Sequence, residues 1–414
     1  MRVDFFIGLR YLTSRRSSLL SMFTLISICG VFVGVMALIV ILAVLNGFHE
    51  DLKAKILGTM PHVSILTYNG EPIEQYDSLI ARIEKLPEVA SSAPLIYSEG
   101  MLVSDGQNNI GAILRGIDPE RENRITEIGS HIFSGSLTFD DVPLEGEIAY
   151  PGMVIGSYMA QVLRVGVGDV VTAWAPRGVK ITPFGLSAPW RKFRVLGIFE
   201  TGLYDVDAKF AYLNLEEAQS FFGMKNAVSH IEIRLVDVER AHELREQVVE
   251  MLGGYPFTGM DWLTYNRNLF EALKLEKAVM FVILTLIVLV AAFNIVSTLT
   301  LMVMDKTREI GILRSMGLTA RSVGLIFVFD GLIIGLLGTI SGAFAGYVIS
   351  TLLSKYQLIS IPGDIYFISE FPVNIQVGDF VIVTAASLLI SLAATIYPAF
   401  RASRLLPVEA IRYE

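Results

Sequence analysis

LLSMFTLISICGVFVGVMALIVILAVL, residues 19–45, runs for 27 residues without a charge. A helix needs ~20 apolar residues to cross ~30 Å of hydrocarbon, so this stretch predicts a membrane span. Three further stretches meet the same test: 278–304 is uncharged, 322–354 carries Asp330 alone, and 380–400 is uncharged. The basic residues between them fall on one side. Arg2, Arg10, Arg15 and Arg16 precede the first span, Lys306, Arg308, Arg314 and Arg321 lie in 305–321, and Arg401, Arg404 and Arg412 lie in 401–414, whereas 355–379 holds only Lys355. Lys and Arg concentrate in cytoplasmic loops, which predicts that segments 1–18, 305–321 and 401–414 are inside and that 46–277 and 355–379 are outside.

Composition agrees with this reading. Hydrophobic residues make up 53% of the chain and charged residues only 18%, more apolar than soluble globular proteins. The 46–277 block carries 32 Asp and Glu against 21 Lys and Arg, a net charge of 21 − 32 = −11. Such an acidic block excludes nucleic acid and anionic lipid surfaces as its natural partners. Its length suffices for its own core, with two lobes expected. Cys29 is the only cysteine, so no disulfide staples that block; Ile28 before it is too bulky for a lipoprotein cleavage site, and a buried core thiol is expected. The first apolar run is too long for a cleaved signal peptide and reads as an anchor.

Within the outer block, apolar residues alternate at 62–66, 101–104, 110–115, 170–175, 193–199, 210–213 and 230–235, which predicts strands, and helical spacing marks 77–85, 156–163, 215–222 and 238–252. The predicted fold is therefore an α-helical membrane protein with four transmembrane helices, plus a large α+β periplasmic domain between helices 1 and 2. Catalytic signatures are missing. There is no G-x-x-x-x-G-K-[ST] loop, no zinc spacing among His49, His62, His131, His230 and His242, and no G-x-S-x-G elbow. Asp140 with Asp141, and Glu216 with Glu217, read as turn and helix-start residues. Neither a metal nor a cofactor is expected in this chain.

Gly331, Gly335, Gly338, Gly342 and Gly346 share one face of the third span, and Gly30 and Gly34 form a matching pair in the first. Close helix packing is the reading preferred over a glycine-lined path. Asp330 admits two readings, proton coupling or a hydrogen bond to a neighbouring helix or to Arg321. Asn294, Ser297, Thr298 and Thr300 are expected to bond between helices. The loop DKTREIGILRSMGLTAR, 305–321, sets Ile310, Leu313 and Met316 at helical spacing with Gly317 as C-cap, a short amphipathic helix suited to a partner's groove.

KTREIGILRSMG (306–317) and YPAFRASRLLPVEAIRYE (397–414) resemble the coupling segment and C-terminal signature of the FtsX-like permease family of ABC transporters. That resemblance implies that Lys306, Arg308, Glu309, Ile310, Gly311, Leu313, Arg314 and Gly317 meet a separate ATPase subunit, which binds the ATP and Mg. FIGLRYL (6–12) and VLNGFHEDLKAKILGTMPH (44–62) are similar to the lipoprotein-releasing permeases LolC and LolE, and the outer domain is expected to be MacB-like. The implied partners are two copies of a LolD-like ATPase, a LolA-like periplasmic carrier and triacylated lipoproteins. The implied place is the inner membrane of a bacterium.

PRGVKITPFGLSAPWRK (176–192) resembles the carrier-binding hook of LolC-type subunits, with Thr182, Pro183, Phe184, Gly185 and the basal Arg191; DIYFISEFP (364–372) resembles LolE instead. A chain bearing both marks is expected to pair with itself, LolF-like, ahead of a heterodimer. Val44, Phe48, Tyr366 and Phe367 are the expected acyl-chain cleft, although an interfacial aromatic belt explains Tyr366 and Phe367 as well. The alternatives are an FtsX-type subunit that activates a cell-wall hydrolase and a MacB-like exporter.

Overall fold

The computed structural model describes residues 18–105, 108–139, 149–175, 180–182, 185–187, 189–356 and 373–405. They form two compact units, the first from residues up to 51 and from 272 onward, the second from 52–271. In chain order the helices are α1 (Ser18–Thr59), α2 (Tyr76–Ile83), α3 (Pro119–Ile125), α4 (Ser157–Leu163), α5 (Tyr204–Asp207), α6 (Leu215–Phe222), α7 (Ala241–Met251), α8 (Trp262–Tyr265), α9 (Arg267–Asp305), α10 (Thr307–Ser315), α11 (Ala320–Tyr356) and α12 (Val377–Ser403). The strands are β1 (Val63–Thr67), β2 (Ile73–Glu74), β3 (Val89–Ser104), β4 (Asn109–Ile117), β5 (Ile132–Gly135), β6 (Gly152–Gly156), β7 (Val170–Trp174), β8 (Lys180–Thr182), β9 (Gly185–Ser187), β10 (Trp190–Phe199), β11 (Phe210–Asn214), β12 (Ala227–Val228), β13 (His230–Leu235) and β14 (Phe257–Asp261).

In the first unit, α1, α9, α11 and α12 are each long and apolar enough to cross a membrane. Val35 and Ile39 of α1, Leu299 of α9, Ile334 of α11 and Val383 of α12 meet in one core. Because lipid tails are as apolar as leucine, helices in a bilayer associate through close packing and polar bonds, not through hydrophobic burial. The glycines supply the close packing. A Cβ added at Gly331 would lie 1.9 Å from Thr395 Cγ2, and one at Gly335 would lie 2.5 Å from Ser391 Cβ, both on α12. At Gly338 it would lie 2.7 Å from Val31 Cβ, and at Gly342 2.6 Å from the Phe32 carbonyl, both on α1. One glycine face thus seats α11 against two neighbours.

Polar bonds complete the bundle. Ser27 of α1 and Thr298 of α9 share a 2.6 Å bond, Ser27 also donates to Asn294 at 3.3 Å, and Thr339 of α11 meets Ser387 of α12 at 3.0 Å. Thr300 bonds back to Val296 within its own helix, and Ser297 is exposed, so of the four polar residues expected to bridge from this span only Asn294 and Thr298 are seen to do so. Asp330 is fully buried, and neither carboxylate oxygen has a hydrogen-bond partner among the described residues. Of the two readings of Asp330, a bond to a neighbouring helix or to Arg321 is not seen among the described residues. Cys29 is exposed on the outside of the bundle, not buried in its core.

The second unit is built on one ten-stranded mixed sheet in the order β14-β1-β13-β3-β4-β11-β6-β10-β5, with β7 against β10 and β3. The β6–β10 and β4–β11 pairs are parallel. A single sheet thus runs through the block for which two lobes were expected, and the buried residues of that block fall into two clusters. The expected strand at 101–104 is only the end of the 16-residue β3, whose earlier part carries Ser91, Ser92, Pro94 and Gly100 and so hides its strand pattern. Alternation sends Ile65, Ile96, Leu114, Ile155 and Leu213 to one face, where they pack with side chains of α2, α4, α6 and α7. Leu95, Ile117, Val154, Phe210 and Tyr212 belong to a separate cluster with Ile128 and Val206.

Beside that second cluster lies a buried ionic group. Arg115 Nη2 donates to both Glu232 oxygens at 2.8 and 2.9 Å, and Glu122 Oε1 lies 3.7 Å away. Burial pushes the Glu232 carboxyl up to about 7, against the attraction of Arg115, and raises Glu122 as well. A carboxyl whose folded pKa exceeds its unfolded value of ~4.3 contributes stability that is complete below that value and is lost as the pH rises through the folded pKa. Between about pH 5 and 8 the wild-type thermal midpoint should therefore fall. In Glu232→Gln, which cannot ionise, the fall should be shallower; equal slopes would contradict this assignment. For the bundle, Gly331→Ala should cost ~1–3 kcal/mol by overpacking, and adding Thr395→Ala should restore part of it. Gly378→Ala, with nothing within 4 Å of the new Cβ, is the control, and melting in detergent is the readout.

Candidate functional site

Three surfaces qualify, each within a single unit. The first is α10. At its start Lys306 Nζ lies 2.7 Å from Glu309 Oε1 one turn on, a half-exposed pair. Its end is set by Gly317, whose φ of +101° suits glycine, with Gly317 N donating to Arg314 O and Leu318 N to Leu313 O. Ile310 is 2% exposed and packs with Met302, Val323, Phe327 and Ala402, while the Arg314 guanidinium donates to the Ser403 and Leu405 carbonyls. Ile310, Gly311 and Arg314 therefore fasten the helix to its own bundle. The opposite face carries Arg308, Glu309, Ile312 and Met316, the last 80% exposed. Ile312 was not among the residues singled out from the sequence. Its signal was the i, i+3, i+7 spacing of Glu309, Ile312 and Met316, which the stronger Ile310–Leu313–Met316 stripe obscured.

The second surface is the segment expected to form a hook. β8 and β9 pair antiparallel with Thr182 opposite Gly185, so the backbone makes a two-stranded hairpin separate from the main sheet. Pro183 and Phe184 lie outside the described residues. At its base, β7 and β10 pair with Trp174 opposite Trp190, and the two partly exposed indoles sit 6.1 Å apart. Arg191 is held at 2.7 Å by Glu217 of α6. The Trp pair was missed because its two members lie on different strands.

The third surface is an apolar groove of about 480 Å³ between α11 and α12, lined by Ile340, Phe344, Tyr347, Val377, Phe380 and Thr384 among others. Val44 and Phe48 are half-buried and do not line it, while Tyr366 and Phe367 lie outside the described residues. Sequence reasoning assigned the apolar character of 340–347 to a membrane span alone, and could not see that α12 leaves a trough beside it. Among the described residues no group of His, Cys, Asp and Glu is arranged to hold a metal ion.

The FtsX-like permease C-terminal family matches residues 281–407, and the MacB-like periplasmic core domain matches residues 24–251. Lipoprotein-releasing system transmembrane protein LolC of Xylella fastidiosa (strain 9a5c) is 34% identical, covering 99% of this chain and 98% of that protein. LolC of Neisseria meningitidis serogroup B is 33% identical over 100% and 99% of the two chains. LolE of Haemophilus influenzae is 29% identical over 99% of each. The crystal structure of the periplasmic region of MacB from Actinobacillus actinomycetemcomitans is 18% identical, covers 52% of this chain and 94% of that one, and superposes with a TM-score of 0.33.

The packing makes a contrast that can be measured. Ile310→Asp should destabilise the bundle strongly, since it buries an unpaired carboxylate. Arg191→Ala should cost less than ~1 kcal/mol, because its ion pair with Glu217 is partly exposed. Thermal unfolding of the two variants beside wild type checks both.

Proposed function

The chain belongs to the LolC/LolE family of lipoprotein-releasing transmembrane proteins, and from that premise we propose that it is the permease subunit of an ABC transporter that releases lipoproteins from the bacterial inner membrane. The relationship over the whole chain carries this reading. It favours release over hydrolase signalling, because the full-length relatives are lipoprotein-releasing proteins. ATP hydrolysis is assigned to a separate LolD-like subunit, two copies of which bind a pair of permeases. Both termini and α10 lie on the cytoplasmic side, and the 46–277 block lies in the periplasm.

In this reading α10 is the coupling helix. Its Ile310 face is already used by its own bundle, which leaves Arg308, Glu309, Ile312 and Met316 for the ATPase groove. Exposed apolar side chains beside charged ones suit a small docking contact. The groove beside Phe344 and Phe380 is assigned to acyl chains, since its walls offer almost only apolar surface. Residues 182–185, with the Trp174–Trp190 pair at their base, are assigned to the LolA-like carrier. The two permeases are assigned as copies of this chain, with a LolC/LolE-type heterodimer as the other arrangement.

The test separates coupling from folding. Met316→Asp and Glu309→Arg should leave membrane insertion and melting unchanged, yet reduce recovery of the ATPase on the affinity-tagged permease by about tenfold, as loss of a small hot spot does. Phe184→Ala should spare ATPase recovery and lower carrier capture. Full ATPase recovery with both α10 variants would refute the coupling assignment.

A further inference from the structure

The second unit contains a cavity that none of these roles uses, and the sheet register explains its origin. Ser64 of β1 stands between Glu232 of β13 and Met260 of β14 in one cross-strand row, and Tyr97 of β3 is paired with Arg115 of β4. Side chains alternate between the faces of a strand, so these residues share the face opposite Ile65, Ile96 and Leu114. The short Ser64 side chain leaves a hollow between longer neighbours, and Trp262 and Tyr265 of α8 add a further wall. The hollow measures about 210 Å³. A cavity of ~150 Å³ lined by apolar side chains already suffices for benzene, so this one has room for one or two fused rings.

The walls select among molecules of that size. Tyr97, Phe210, Trp262 and Tyr265 are aromatic, and Met60 and Met260 bring polarizable sulfur. Aromatic pairs gain more than the area they bury, and methionine sulfur favours contact with ring edges, so these walls prefer a ring to a flexible chain. The charged residues on the lining are already matched. Arg115 is bonded to both Glu232 oxygens, and burial raises the carboxyls of Glu232 and Glu122, which keeps this group close to neutral. Asp261 is answered by Arg245 at 3.2 Å. An ion entering the cavity would shed its hydration without meeting an unpaired opposite charge, whereas an uncharged molecule avoids that cost.

We propose that this cavity, walled by Tyr97, Phe210, Trp262 and Tyr265, is a binding site for an uncharged aromatic molecule of one or two rings. Met260 and Tyr265, 37% and 49% exposed, leave its rim open. Met60 lies in the segment by which the chain enters this unit, and Trp262 and Tyr265 lie in the segment by which it leaves, so a bound ring touches both. The site does not rest on the lipoprotein-release reading.

The experiment uses the full-length protein in nanodiscs and a phenyl diazirine, an uncharged one-ring photoprobe, with adducts mapped by peptide mass spectrometry. Adducts at Met60, Met260 or Trp262 are expected. Naphthol should compete for them, whereas naphthoate, the same two rings with a negative charge, should compete about tenfold less well at equal free concentration. Octanol, uncharged but without a ring, should compete about fivefold less well. Ser64→Trp, which fills the hollow from its floor, should reduce the adducts about tenfold while labelling of the bundle helices stays constant. Met260→Trp, at the exposed rim, serves the same purpose should Ser64→Trp fail to fold. Absence of adducts at the cavity, equal adducts in wild type and the folded filled variant, or competition by naphthoate or octanol equal to that by naphthol would overturn the site. Labelling requires neither ATP nor carrier nor lipoprotein, so it can fail while lipoprotein release stands and succeed if release is disproved.

Discussion

The bundle depends on the close approach of α11 to α1 and α12. A bilayer offers no hydrophobic gain for bringing apolar helices together, so contact must come from backbones that approach closely and from polar groups that pair. Gly331 and Gly335 admit Thr395 and Ser391, and Gly338 and Gly342 admit Val31 and Phe32. Once these helices are seated, Met302, Phe327 and Ala402 form the cluster on which Ile310 of α10 rests. Helix α10 therefore inherits its position from glycines more than one helical turn away. A force applied to α10 would meet a packed, interdigitated core, which passes displacement on instead of absorbing it.

Asp330 stands apart in this arrangement. It is buried with no hydrogen-bond partner among the described residues, whereas Ser27 with Thr298 and Thr339 with Ser387 pair across helices. The second unit pairs its buried charge: Arg115, Glu122 and Glu232 form one group, and Asp207 and Asp261 accept hydrogen bonds of their own. A buried ionic group of this kind is a weak source of stability, and it leaves Arg115 Nε buried with no hydrogen-bond partner among the described residues.

The membrane architecture was legible because uninterrupted apolar length is a strong and local signal, and the FtsX-like segments 306–317 and 397–414 carried the family. The α10 cap was readable for the same reason, since Gly317 must reach a positive φ. Features that depend on contact between distant residues were hidden. The exposed Ile312 and Met316 face, the Trp174–Trp190 pair and the groove between α11 and α12 all need the neighbouring element in place before they exist. The long β3 escaped notice because Ser91, Ser92, Pro94 and Gly100 weaken its local pattern, and sheet pairing on both sides overrides that weakness.

The most direct measurement reconstitutes this chain, as the only permease, with a LolD-like ATPase and a triacylated lipoprotein in liposomes, and follows lipoprotein in the soluble fraction after a LolA-like carrier is added. The account predicts transfer that requires both ATP and carrier. ATP hydrolysis by the assembled complex with no lipoprotein leaving the membrane would contradict it.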